Sequence, residues 1–192
     1  MGNNAKQGKL QPLEIRCISA ACDKGLHCFK STRKMQVANE TGHCRHCGIQ
    51  LVDWERVHER DNSDIDYTFT MLKQEFFRHY MWHIDLDHKL IDYALNKGLQ
   101  VLGEMCEKRI RVSVGTAQPF RDGYQTPRET SGNVNIIHLA QHATASCCRT
   151  CIEYWHGIPK GRELTEDEVK YLSDLALLYI KSKISFANGG VP

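Results

Sequence analysis

The sequence contains no apolar run approaching the roughly 18 to 20 residues of a membrane span, so no transmembrane helix is expected. Its opening residues, MGNNAKQGKLQPL, hold no apolar segment that could act as a secretory signal. Lys6 stands where a myristoylation motif needs Ser or Thr, so a lipid anchor is not expected either. The expected setting is the cytosol, without membrane attachment. Neither sign of charge dominates: 25 Lys and Arg face 23 Asp and Glu, and the net charge of +2 is too small to make nucleic-acid binding a default expectation. The chain also lacks a Walker-type glycine loop, a GxSxG elbow and a GxGxxG turn, which counts against nucleotide hydrolysis, serine hydrolysis and dinucleotide redox chemistry. It shows no internal repeat and no low-complexity tract.

What the sequence does have is sulfur and imidazole: nine Cys and ten His in 192 residues. A chain of this length buries a hydrophobic core without cross-links. In a reducing compartment its thiols stay reduced, which points to metal binding or thiol chemistry rather than to a disulfide framework. The distribution sharpens that reading. Cys17, Cys22, Cys28, Cys44 and Cys47 form one group and Cys147, Cys148 and Cys151 another, while Cys106 stands alone as a buried helix residue.

The patterning predicts a mainly α chain, α+β overall: a polar tail over 1–13, a zinc-ribbon-like β module over 14–60 and a helical domain over 63–186, with the closing FANGGVP frayed. Within the module, LHCFKSTRKMQV alternates as a strand does and ANETG has the composition of a turn, so a β-hairpin is expected. Asp53 is placed to cap a short helix. From Ser63 the period becomes 3.6, with Ile65, Phe69, Leu72, Phe76 and Tyr80 on one stripe. A second helix is expected over 87–111, carrying Leu90, Ala94, Val101 and Met105, with Gly98 as the point where it divides or loosens. GTAQPFRDGYQTPRETSGN reads as a long loop, and Arg121, Asp122, Gln125 and Arg128 on it could close over a pocket or contact phosphate. Helix resumes near Val134, and Thr165 to Glu168 form a capping box for the last helix.

CRHCG puts Cys44 and Cys47 two residues apart, close enough to grip one ion from a tight turn, with Gly48 relieving backbone crowding. The second pair is supplied by Cys17 with Cys22 or by Cys22 with Cys28, and His27 and His43 stand nearby as competitors. Such a set predicts a structural Zn²⁺ with no open position.

In AQHATASCCRTCIEYWHGIPKG the geometry is harder. On one unbroken helix Cys148 would lie about 240° round from His142, and His156 about 27 Å along the axis from His138. A shared site needs the helix to break near residues 143–146. His142, Cys148, Cys151 and His156 could then hold a tetrahedral Zn²⁺, with Cys147 able to replace one of them. The competing readings are half-buried cysteines on two plain helices, or a nucleophilic Cys147 or Cys148 activated by His142. Three clustered cysteines can also ligate an iron–sulfur cluster, given a fourth thiolate. His79 and His83, four apart with Asp85 and Asp87 beyond, offer a further ligating pattern, with Glu75 as a base.

DGYQTP followed by AQHATASCCRTCIEYWHGIPKGRELTEDE resembles a bacterial family of unknown function marked by DGxQTP, QHATA, CCRxC, WHGIP and an LTxxE helix start. CRHCG with DWERVH, and FFRHYMWHIDLD, resemble a longer form of that family with an N-terminal zinc-ribbon-like module. The resemblance marks segments and implies no reaction. The expectation carried forward is a zinc-binding adaptor that contacts nucleic acid, through basic residues such as Lys30, Arg33 and Lys34, or a protein partner. The alternative is a metal-dependent hydrolase or nuclease built on the C-terminal cluster.

Overall fold

A computed structural model of the chain describes residues 15–126 and 135–187. The expected N-terminal tail, Pro127 and Arg128 of the long loop, and the residues after 187 lie outside them. The described residues form helices α1 (Arg33–Val37), α2 (Trp54–Glu59), α3 (Ile65–Leu72), α4 (Phe76–His83), α5 (His88–Val114), α6 (Ile136–Ala143), α7 (Arg149–His156) and α8 (Glu166–Ala187). The protein is mainly helical. None of these helices is long and apolar enough to cross a membrane.

The expected hairpin is replaced by α1. Thr32 accepts a hydrogen bond from the Met35 amide at 3.2 Å, and this cap starts a helix where side-chain alternation had suggested a strand. Extended pairing among the described residues is confined to isolated bridges, Ala21 with Leu26 and His27 with Glu75. Asp53 caps α2 as expected, accepting from the Arg56 amide at 3.1 Å. The capping box also forms: Thr165 Oγ1 accepts from the Glu168 amide at 3.2 Å, and Glu168 Oε2 accepts from the Thr165 amide at 2.9 Å.

The helix expected from residue 63 is broken in two. At Glu75 the backbone is extended (φ −86, ψ 125), because the His27 amide donates to Gln74 O at 2.9 Å and the Phe76 amide donates to His27 O at 2.8 Å. The break shifts the buried stripe by one residue. Phe77 and Met81 enter the core, whereas Tyr80 remains exposed. Gly98, at φ 74 and ψ 158, likewise divides α5, a conformation accessible mainly to glycine. Beyond it Leu102, Cys106, Ile110 and Val114 face inward at four-residue spacing, so Leu102 rather than the expected Val101 is buried.

α8 lies along α5 and α6, and α4 packs on α6. The N-terminal segment shares this interior. Phe29 and Trp54 meet Trp155 at ring-centroid distances of 5.9 and 5.2 Å, beside Val57, Leu72 and Ile152.

Candidate metal centres

In the N-terminal segment two tight turns face each other. One runs from Cys22 to Gly25, whose φ of 71 returns the chain to Leu26 and His27. The other is the Cys44 knuckle, closed by Gly48 N donating to Cys44 O at 2.8 Å with Gly48 at φ 76. Together they bring ligand atoms of Cys22, His27, Cys44 and Cys47 within 4.8 Å of one another. Cys22 Sγ lies 3.8 Å from Cys44 Sγ, and Cys47 Sγ lies 3.5 Å from His27 Nδ1. A tetrahedral Zn²⁺ with Zn–S near 2.3 Å and Zn–N near 2.0 Å has S···S edges of about 3.8 Å and S···N edges of about 3.5 Å. The observed edges have those lengths.

The expected partner of Cys22 was another cysteine, and here the structure corrects the sequence reading. His27 and Cys28 are neighbours on extended backbone, so their side chains point to opposite sides and only one can face Cys22. It is His27. Cys28 is buried behind the knuckle, its amide 3.5 Å from Cys44 Sγ and its thiol donating to Cys17 O at 3.5 Å. Cys17 is also outside the group; its thiol hydrogen-bonds to the Cys151 sulfur. Burial alone would raise the Cys44 thiol, but the amides of Cys28, Cys47 and His46 outweigh it and bring it down to about 6. Cys22, raised by burial and by Cys47 and Cys44, is pushed up to about 12.

The C-terminal cluster is built by the expected break. α6 ends at Ala143, Ala145 takes φ 55, and Cys148 becomes the N-cap of α7, its sulfur 3.4 Å from the Cys151 amide. Sulfur atoms of Cys147, Cys148 and Cys151 lie within 4.8 Å of one another. Hydrogen bonds from Cys147, Cys148 and Cys17, and the nearby Arg78 cation, hold the Cys151 thiol well below its ordinary range, while Cys148 and Cys151 together with burial hold Cys147 well above it.

The expected histidines do not join these sulfurs. His142 Nε2 donates to Thr126 O at 3.1 Å and its ring stands edge-on to Phe77. His156 is five residues beyond Cys151 on α7, about 140° round the helix. Its Nε2 donates to Thr144 O at 3.0 Å, and Nδ1 lies 3.3 Å from the Tyr171 hydroxyl. Cys147 takes the place given to the histidines.

Arg78, which the spacing did not reveal, and Glu75, expected as a base, complete the surroundings. Arg78 is fully buried; its Nη2 lies 3.1 Å from Cys151 Sγ, its Nη1 donates to His142 O at 2.6 Å, and its Nε donates to Glu75 at 3.1 Å. Glu75 is wholly enclosed and also accepts from the Tyr154 hydroxyl and the Trp155 indole, which takes it out of reach as a solvent-facing base. The long loop ties down both motifs: Asp122 accepts from the Arg149 amide at 3.0 Å, capping the first turn of α7, and Arg109 Nη2 donates to Gln125 O at 2.6 Å. The rings of His79 and His83 stack at 4.0 Å, and among the described residues neither belongs to a group of three or more potential ligands. Cys106 is a buried residue of α5, as expected.

Fold and side-chain groups together define a mainly helical protein with two clusters able to hold metal. The chain belongs to the family described as Domain of unknown function (DUF4186), whose model matches residues 66–181. The C-terminal cluster lies inside the match and the four residues of the first cluster lie before it. No solved structure matches the chain.

Proposed function

We propose that the protein is a zinc-binding adaptor of the cytosol, whose first ion is structural and is held by Cys22, His27, Cys44 and Cys47. The observation that carries this reading is the agreement of the 3.8 Å sulfur–sulfur and 3.5 Å sulfur–nitrogen edges with a Zn²⁺ tetrahedron. Four protein ligands leave no position for substrate, so the ion contributes folding energy and shape. All nine cysteines are free thiols, in keeping with a reducing compartment.

The segment between the two ligand pairs carries Lys30, Arg33 and Lys34, and Arg45 lies within the second pair; Arg33 and Lys34 are exposed beside an 84% exposed Val37. A surface of this kind suits a polyanion, and nucleic acid is the partner we favour. The hydrolase alternative needs a vacant coordination position next to a base. At the C-terminal cluster, where that alternative would sit, the enclosure of Glu75 supports the binding role instead.

Metal analysis of protein purified without added metal, combined with mobility shifts on single- and double-stranded DNA and RNA at two salt concentrations, tests both halves. Zinc lost in Cys44→Ser/Cys47→Ser and binding that weakens with salt, less steeply after joint replacement of Lys30, Arg33 and Lys34 by Ala, are the expected results. Full zinc retention in the double variant overturns the first half, and no binding at low salt the second.

A further inference from the structure

We propose that Cys17, Cys147, Cys148 and Cys151 bind a second single Zn²⁺, at the seam between the N-terminal segment and the start of α7. The proposal is independent of whether the first quartet is filled.

The three C-terminal sulfurs are mutually within 4.8 Å, and the thiol of Cys17, outside that trio, hydrogen-bonds to the Cys151 sulfur. Three sulfurs at this spacing fit one face of a tetrahedron around a single ion, whose S···S edges are about 3.8 Å, and Cys17, in contact with Cys151, is the thiol that can close on the fourth corner; an iron–sulfur cube interposes its own iron and sulfide and needs its cysteines further apart. An all-sulfur set selects a soft, thiophilic cation over Mg²⁺ or Ca²⁺.

The surroundings match the charge that such a site would carry. Four thiolates around Zn²⁺ leave two negative charges in a buried place, which is costly unless cations and N–H donors face them. Arg78 does so, with Nη2 3.1 Å from Cys151 Sγ and Nη1 4.0 Å from Cys147 Sγ. The Cys151 amide points at Cys148 Sγ at 3.4 Å. Cys148 sits in extended backbone, φ −161 and ψ 162, so the adjacent Cys147 and Cys148 turn away from each other and can reach two corners of a tetrahedron. Cys17 is itself positioned by its carbonyl, which accepts the Cys28 thiol beside the first quartet.

The test uses the full chain. Protein grown with equal zinc and iron should carry two zinc ions, little iron and no acid-labile sulfide. Cys148→Ser keeps an N-cap side chain and should retain one zinc. Cys17→Ser should retain two but surrender the second to a chelator roughly tenfold more readily than the native chain. Zinc-edge X-ray absorption on the unmodified protein checks the same point without any variant: a mean of about 3.5 sulfur and 0.5 nitrogen neighbours per zinc is expected for one Cys₃His and one Cys₄ ion. One zinc per chain that disappears in Cys44→Ser/Cys47→Ser, iron with stoichiometric sulfide, or unchanged zinc retention in both single-site variants would each overturn the proposal.

Discussion

The indole nitrogen of Trp155 donates to Glu75 Oε2 across 2.6 Å, with both residues enclosed in the core. This contact joins α7 to the break between α3 and α4. Burial pushes the Glu75 carboxyl up, while Arg78, Trp155 and Tyr154 pull the other way by supplying charge and hydrogen bonds. The carboxylate is therefore tolerated because its oxygens are met on every side. Replacing Trp155 by Phe removes one donor and keeps most of the ring. The expected cost is about 1 to 3 kcal/mol, read as a fall in urea midpoint with unchanged m.

Arg78→Met leaves Glu75 without its cation. Breaking one side of a buried ion pair costs about 3 to 5 kcal/mol. Because the loss comes from an uncompensated charge, adding Glu75→Gln should recover part of it. A double-mutant cycle that proves additive would show that the two residues do not act as a pair.

Acid should unfold the protein partly through His156. Burial pushes this imidazole down to about 3, with opposing help from Thr144 O, so the folded state keeps the ring neutral. An unfolded chain takes up the proton near pH 6.5. Stability from this group is thus complete above that pH and declines as pH falls from about 6.5 towards 3. His156→Gln should be less stable at neutral pH but show a shallower loss between pH 6.5 and 4 in chemical denaturation. An equal slope in both proteins would remove His156 from the account.

Gly25 and Gly157 share a left-handed conformation, at φ 71, ψ 16 and φ 63, ψ 18. They differ in surroundings. A Cβ at Gly25 meets nothing within 4 Å, whereas one at Gly157 would lie 2.8 Å from His58 Cγ. Gly25→Ala should cost about 1 kcal/mol from backbone strain alone. Gly157→Ala should cost about 1 to 3 kcal/mol more, because the His58 ring must move. Thermal midpoints of the two variants measured side by side give the difference directly.

The sequence allowed several local features to be read because their causes are local. Asp53 and Thr165 announce helix starts within four residues of chain, and the small residues after His142 mark the break that gathers the C-terminal cysteines. Thr32 starts α1 by the same kind of cap, inside a stretch whose alternation reads as a strand. What stayed hidden depends on distant partners. The split at Glu75 exists because His27, 48 residues earlier, pairs its backbone there. The choice of His27 over Cys28 at the first quartet follows from that same pairing. The histidines of the second motif were misplaced because their partners are carbonyls, Thr126 O and Thr144 O, which side-chain spacing does not display.

The tie between Cys17 and Cys151 also imposes a timetable on synthesis. Cys17 leaves the ribosome roughly 130 residues ahead of its partner, a delay on the order of ten seconds at usual elongation rates. Phe29 and Trp54 likewise wait for Trp155, more than a hundred residues behind. Throughout that interval the nascent chain displays free sulfhydryls and bare aromatic rings together. Oxidants and chaperones therefore have access to the thiol-rich end before the residues that shelter it have been made.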